Sequence, residues 1–252
     1  MKKFLAAALA AISLSLTGCS FGGQNTPTYN VMNEYDFKEM ELIQLEPPKD
    51  GDTIAVFDTS MGEIRMVLYP EYCPNTVAAF IEKANAGEYN NIDVYGIMGD
   101  QYFLSGGKKS EDGTYTGREN DDELIDNECN VNLWPFKGAI MSFSEKPGFS
   151  DSRWFICNTE KEALTEDAIQ ELKDSAAKRE DEVEREKLIN LFDKFIEVGG
   201  LFGAAGTYTV FGQTYEGLDV IEKICAVPVD ELNAPKQQVT INSVTISEYT
   251  AE

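Results

Sequence analysis

The sequence predicts a mainly-β domain, a closed antiparallel barrel of short strands with helices laid over it. Three observations carry this. The stretch Val239–Ser247 (V-T-I-N-S-V-T-I-S) alternates apolar and polar residues on either side of Asn242-Ser243, the period of a strand with one buried face. Several other short runs are rich in β-branched and aromatic residues and are separated by glycine-containing turns. Outside one highly charged stretch, only two short segments have helical spacing, which is too few to build a helical layer.

Thr53–Thr59 (T-I-A-V-F-D-T) reads as a strand, Ser60–Glu63 as a turn and Ile64–Tyr69 (I-R-M-V-L-Y) as a second strand, so the pair forms a hairpin. Pro74–Ala86 reads as a helix: proline suits its first position, and Val77, Phe80, Ile81 and Ala84 fall on one face. Gly87 is suited to end it. Gly106-Gly107 and the polar loop 108–122 break the next strands. Gly138–Phe143, Trp154–Cys157 and Val210–Gln213 read as buried strands, and Leu218–Ile224 as a short helix. Thr165–Val198 is strongly helical, with Thr165 as N-cap. One apolar face carries Ile169, Leu172 and Ala176, and another carries Leu188, Leu191, Phe192 and Phe195, while the middle is charged almost all round. Two readings fit it: a solvated excursion packed only at its ends, or an arm that binds a partner.

The net charge of −23 sets the surface against nucleic-acid phosphates and anionic headgroups, so no nucleic-acid partner is expected. The absence of histidine excludes Ser-His-Asp and Cys-His catalysis and histidine-ligated metal sites. The five cysteines include no C-x-x-C pair, so no metal site is expected. Cys157 and Cys225 lie in apolar contexts suited to a core, and the pairing of Cys73, Cys129, Cys157 and Cys225 stays open.

Lys2-Lys3, the apolar run Phe4–Leu14 and Leu16-Thr17-Gly18-Cys19 have the layout of an export signal, residues 1–18, with small residues before the cut. The L-T-G-C tetrad resembles the bacterial lipobox, which implies lipidation of Cys19, anchoring to the cell membrane and an extracytoplasmic domain. Residues 19–50 then comprise the lipidated cysteine and a tether, polar over 20–34 and mixed apolar and acidic over 35–46, suited to docking on the domain. The domain itself spans 51–250, with a helical insertion at 158–202.

Read in order, M-G-E-I-R-M-V-L-Y, C-P-N-T-V-A-A-F, A-G-E-Y, Gly106-Gly107, I-D-N-E, G-A-I-M, S-R-W-F-I and T-V-F-G with G-L-D-V-I resemble the successive motifs of the cyclophilins over about residues 53–247. The resemblance implies an eight-stranded antiparallel barrel capped by two helices, and a proline-binding groove on its outer face. It also implies peptidyl-prolyl cis-trans isomerase activity on proline-containing peptides or unfolded exported proteins, and no cofactor.

Rotating an X-Pro bond costs about 18–20 kcal/mol because amide resonance is lost. A donor aimed at the proline nitrogen binds the twisted state more tightly than the planar one. The resemblance implies that an arginine of F-H-R-V supplies this donor. The corresponding stretch here is D-V-Y-G-I-M-G-D, Asp93–Asp100. Counting back from Gly106-Gly107 places Ile97 at that position; counting forward from Tyr89 places Gly96 there. The family's glutamines fall at Ser105 and Arg153, and its tryptophan near Gly203. Arg153 is therefore the candidate substitute donor, a surface arginine paired with an acidic neighbour being the alternative. By the same resemblance Phe103, Met141, Ser142, Phe155 and Tyr208 are the candidate substrate-binding residues. Barrel packing is the competing role for each.

Overall fold

The computed structural model describes residues 35–117, 124–160 and 166–251. The export signal, Cys19, residues 20–34 and the expected N-cap Thr165 lie outside them. No helix among the described residues is long and apolar enough to cross a membrane.

β1 (Thr53–Thr59) and β2 (Gly62–Leu68) form the expected hairpin, Thr59 pairing with Gly62. The Thr59 hydroxyl closes the turn, donating to Gly62 O at 2.6 Å and accepting from Met61 N at 3.0 Å. α1 (Pro74–Asn85) begins with proline and buries Val77, Phe80 and Ala84. Its N-cap residue, Cys73, offers no side-chain cap. Glu128, distant in sequence, takes that role, its carboxylate accepting from Asn75 N at 3.1 Å and Thr76 N at 2.8 Å.

Next come β3 (Ile92–Asp93), β4 (Gly96–Ile97), β5 (Tyr102–Ser105), β6 (Lys108–Lys109), β7 (Tyr115–Thr116), β8 (Ile125–Asp126), β9 (Ala139–Phe143), β10 (Phe149–Ser150) and β11 (Arg153–Cys157). After the helical excursion, β12 (Val210–Glu216) and β13 (Thr240–Glu248) complete the main sheet. Nine strands form one curled antiparallel sheet in the order β3-β13-β1-β2-β12-β9-β11-β5-β4. The eight-stranded count expected from sequence differs because 92–97 contributes two short strands, β3 pairing with β13 and β4 with β5. Inside the curl, Phe57 meets Trp154 edge-on at 5.4 Å and Phe80 packs on Phe211 at 5.2 Å.

The helical excursion divides into α2 (Glu166–Ala176) and α3 (Glu182–Val198), with Asp181 capping α3 by accepting from Glu184 N at 3.1 Å. A further helix, α4 (Leu218–Cys225), packs against β2. The expectation of an excursion packed only at its ends is corrected. Both apolar faces, Ile169–Leu172–Ala176 and Leu188–Leu191–Phe192–Phe195, are buried in a second core with Phe37, Met40, Trp134, Phe136 and Phe202. Trp134 stacks parallel to Phe202 at 6.1 Å, and Phe136 packs on Phe195 at 4.6 Å. Residues 35–46 dock here as expected, since Phe37 is part of this core. Buried Gln44 ties them to the sheet, donating to Trp134 O at 2.8 Å and to Gln213 Oε1 at 3.0 Å.

Candidate functional site

Strand register decides which side chains share a face. Phe155 on β11 pairs with Met141 on β9 and with Leu104 on β5, and Arg153 pairs with Phe143. These residues, with Tyr102, fall on the outer face by the period-two alternation of strands. Tyr208, in the turn entering β12, meets Phe155 edge-on at 5.1 Å, and Tyr102 tilts onto it from the other side at 5.1 Å. Phe143 completes the cluster, 6.5 Å from Phe155 and stacked on Tyr208 at 6.1 Å. Phe155 is 3% exposed, whereas Tyr102 and Tyr208 are half-buried, so Phe155 forms a floor between two tyrosine walls.

The structure thus brings together Met141, Phe155 and Tyr208 of the residues expected from sequence. It separates the other two from them. Phe103 pairs with Ile156 and turns to the interior, where it meets Trp154 edge-on at 6.3 Å. Ser142 pairs with Trp154, and its hydroxyl lies 2.6 Å from that of Ser150. Both are moved off the Phe155 face by one step of the strand alternation. Tyr102 and Phe143 were not anticipated. A run such as Y-F-L-S gives no contrast between its two faces, because Phe103 and Leu104 are both buried.

A loop braces the Tyr208 wall. Asn127 Nδ2 donates to Thr207 O at 2.7 Å, Glu128 N donates to Thr209 Oγ1 at 2.8 Å, and Ser150 donates to Asn127 Oδ1 at 2.8 Å. Hydrogen bonds from Thr76 and Asn75 outweigh the effect of burial and hold the Glu128 carboxyl below its ordinary range.

Arg153 lies on the same outer face, 6% exposed. Its Nε reaches Asp151 Oδ1 at 3.1 Å, Nη2 reaches Asp151 Oδ2 at 2.7 Å, and Nη1 reaches Glu145 at 3.2 Å. The guanidinium sits over the Phe143 ring, 4.9 Å from its centroid. Burial alone would lower its pKa; the hydrogen bonds and charge of Asp151 override this and keep it raised. The fork is bidentate and desolvated, so it is strongly held.

The two positions offered by motif counting, Ile97 and Gly96, fall on opposite faces of the sheet. Ile97 pairs with inward-facing Phe103 and is fully buried. Gly96 pairs with Leu104, which in turn pairs with Phe155, so a side chain at 96 would stand on the outer face. Gly106 is required by its neighbours: its φ is +81°, and a Cβ there would lie 2.5 Å from Ser152 O. The four described cysteines are free thiols. Burial pushes Cys129 up to about 11 and Cys225 up to about 12, so neither is a ready nucleophile at neutral pH.

A curled antiparallel sheet with helices over it is the fold of the cyclophilins, and the chain belongs to that family by its match to the family model. The family described as cyclophilin type peptidyl-prolyl cis-trans isomerase/CLD matches residues 54–246. A protein of Staphylococcus saprophyticus named "Putative peptidyl-prolyl cis-trans isomerase" is 26% identical over 209 residues, covering 81% of this chain and 98% of its own length. One of the same name from Staphylococcus aureus is 24% identical, covering 79% and 94%. A Cryptosporidium parvum cyclophilin crystallised in the presence of the dipeptide Ala-Pro superposes with a TM-score of 0.55 at 16% identity, covering 77% of this chain and 98% of that one. At that identity the likeness is one of fold.

Proposed function

We propose that the protein is a lipid-anchored peptidyl-prolyl isomerase acting outside the cytoplasm on exported proteins, with low turnover. Family membership supports the reaction class. The Lys2–Cys19 leader supports export, removal of residues 1–18, lipidation of Cys19 and attachment of domain 51–250 to the membrane surface. The observation that carries the substrate reading is the aromatic floor: Phe155 between Tyr102 and Tyr208, an apolar seat whose use by a proline ring requires the two tyrosines to swing aside. The eight-stranded closed barrel belongs to the same proposal. The chain at 92–97 bridges the two ends of the sheet, Val94 N donating to Val239 O at 2.9 Å and Tyr95 N to Leu104 O at 3.0 Å.

Low turnover follows from the missing donor. Loss of one preorganised donor costs about 3–4 kcal/mol, roughly a hundredfold or more. Arg153 is the available substitute on this face, and its commitment to Asp151 and Glu145 limits what it offers a substrate. That commitment favours a second reading, a non-catalytic peptide-binding lipoprotein.

The test is cis/trans exchange of a short Ala-Pro peptide by two-dimensional NMR. Exchange above the buffer rate, lost in Phe155→Ala and reduced in Arg153→Ala, supports the isomerase. Exchange at the buffer rate with peptide signals still shifting selects the binding module. No acceleration and no shift removes both. Persistence of Cys19→Ala in the membrane fraction would refute the anchor.

A further inference from the structure

A separate cleft of about 410 Å³ opens where β2 ends, between the chain at 43–53 and the turn at 67–72. The turn is closed by Tyr72 N and Cys73 N donating to Tyr69 O at 3.1 and 3.2 Å, which sets the Tyr69 and Tyr72 rings 6.5 Å apart at 78°. They form an aromatic corner. Three carboxylates, Glu46, Asp52 and Glu71, belong to the lining, against one ammonium, Lys49. That ammonium is already taken by Glu46 at 2.7 Å, and the Asp52 carboxylate accepts from Lys49 N at 2.7 Å. Glu71 is exposed. Burial first, then the negative charges of Asp52 and Glu46, push the Tyr69 phenol above its ordinary range, so the negative field reaches the ring.

Two tyrosine rings set edge-on to one another line this cleft beside three carboxylates and one ammonium, a combination that attracts a cation through ring quadrupoles and carboxylates together. The cleft is of ligand-binding size. We infer that it is a binding site for the cationic side chain, lysine or arginine, of an extended peptide segment. Its place on the sheet fits a second contact for a peptide. Tyr69 N donates to Phe211 O, the neighbouring Val210 pairs with Met141, and Met141 pairs with Phe155. Cleft and aromatic floor therefore lie at one level, three strand spacings or about 14 Å apart, a span of at least about four extended residues.

The site does not depend on proline binding, so its test uses a proline-free probe. Full-length protein is titrated with a capped Ala-Ala-Arg-Ala-Ala peptide and with the same peptide carrying Glu for Arg, while the Tyr69 and Tyr72 resonances are followed by NMR. The arginine peptide is expected to shift both residues, more weakly at high salt, and the glutamate peptide to shift neither. Glu71→Gln and Tyr72→Leu should each weaken binding by about two- to fivefold, the fold-change that an exposed ion pair or one cation–π contact represents. Tyr72→Leu keeps apolar bulk, and Glu71→Gln alters an exposed residue, so both test charge and ring rather than folding. Equal shifts from both peptides, or no shift from either, would overturn the inference whether or not the protein isomerises proline.

Discussion

Placing an arginine at Gly96 tests the reading of the outer face. Gly96 is not among the glycines with positive φ, so a side chain meets no backbone penalty. Its Cβ would lie 3.1 Å from Leu104 Cδ1 and 3.6 Å from Leu104 Cβ, a tight contact with the flexible end of one side chain. Gly96 is buried, and relief of such crowding costs about 1–3 kcal/mol, which a folded domain tolerates. The new guanidinium starts two strand spacings, about 10 Å, from Phe155 and points toward the same face. It arrives beside Arg153, whose charge is already met by Asp151 and Glu145. A preorganised donor contributes about 2.7–4 kcal/mol to the transition state, so Gly96→Arg should accelerate Ala-Pro exchange by about a hundredfold or more over the parent. Gly96→Met supplies similar bulk without donors and should leave the rate at the parent value. The assay is NMR exchange spectroscopy, with thermal melts to verify folding. A folded Gly96→Arg protein that binds the peptide yet exchanges it no faster, or a Gly96→Met protein that gains as much, would refute the assignment of position 96 to the reacting face.

Three further outcomes follow from the packing and electrostatics. Phe195, fully buried against Trp134, Phe136 and Phe202, should cost about 3–5 kcal/mol when replaced by alanine, read by urea unfolding; a loss under 1 kcal/mol would mean that the second core is not cohesive. Removing the Arg153 side chain alone leaves the half-buried Asp151 carboxylate with the backbone N–H of residue 153 but without its counter-charge, so Arg153→Ala should destabilise by about 3 kcal/mol, and the Arg153→Ala/Asp151→Ala double variant by clearly less than the two singles together. Additive losses would show that the pair is not coupled. Glu128 has a depressed folded-state pKa, so its contribution is fully present above the unfolded value of about 4.3 and is lost as pH falls through the lower folded value. Melting curves should show Glu128→Gln less stable than the parent at neutral pH, with the gap closing in strong acid; a constant gap would contradict the charged cap.

The hairpin at 53–68, the first helix and the closing strand were legible from β-branched content and apolar spacing, which decide the type of element, while the ends move by one or two residues: the second strand runs Gly62–Leu68 where Ile64–Tyr69 was expected, because Thr59 pairs with Gly62 across the turn. Pro74 marked the helix start to the residue. The site was only half legible for the converse reason. All five residues of β11, R-W-F-I-C, are buried, so nothing in the sequence says that Trp154 points inward and Phe155 outward. Motif counting alone gave Phe103 to the groove, and the register with Ile156 returns it to the core. The second core was hidden too. The faces at 169–176 and 188–195 were visible, but their partners Phe37, Trp134 and Phe202 lie far away in sequence with no periodicity to link them. The break into two helices was masked by a stretch, A-K-R-E-D, whose other residues favour helix, while Asp181 favours the cap it forms.

A crystal of the protein soaked with Ala-Pro would address the central claim directly. The account predicts the proline ring seated on Phe155, between Tyr102 and Tyr208 and in contact with Met141 or Phe143. Saturating dipeptide bound elsewhere, with the three rings still closed over one another, would contradict it.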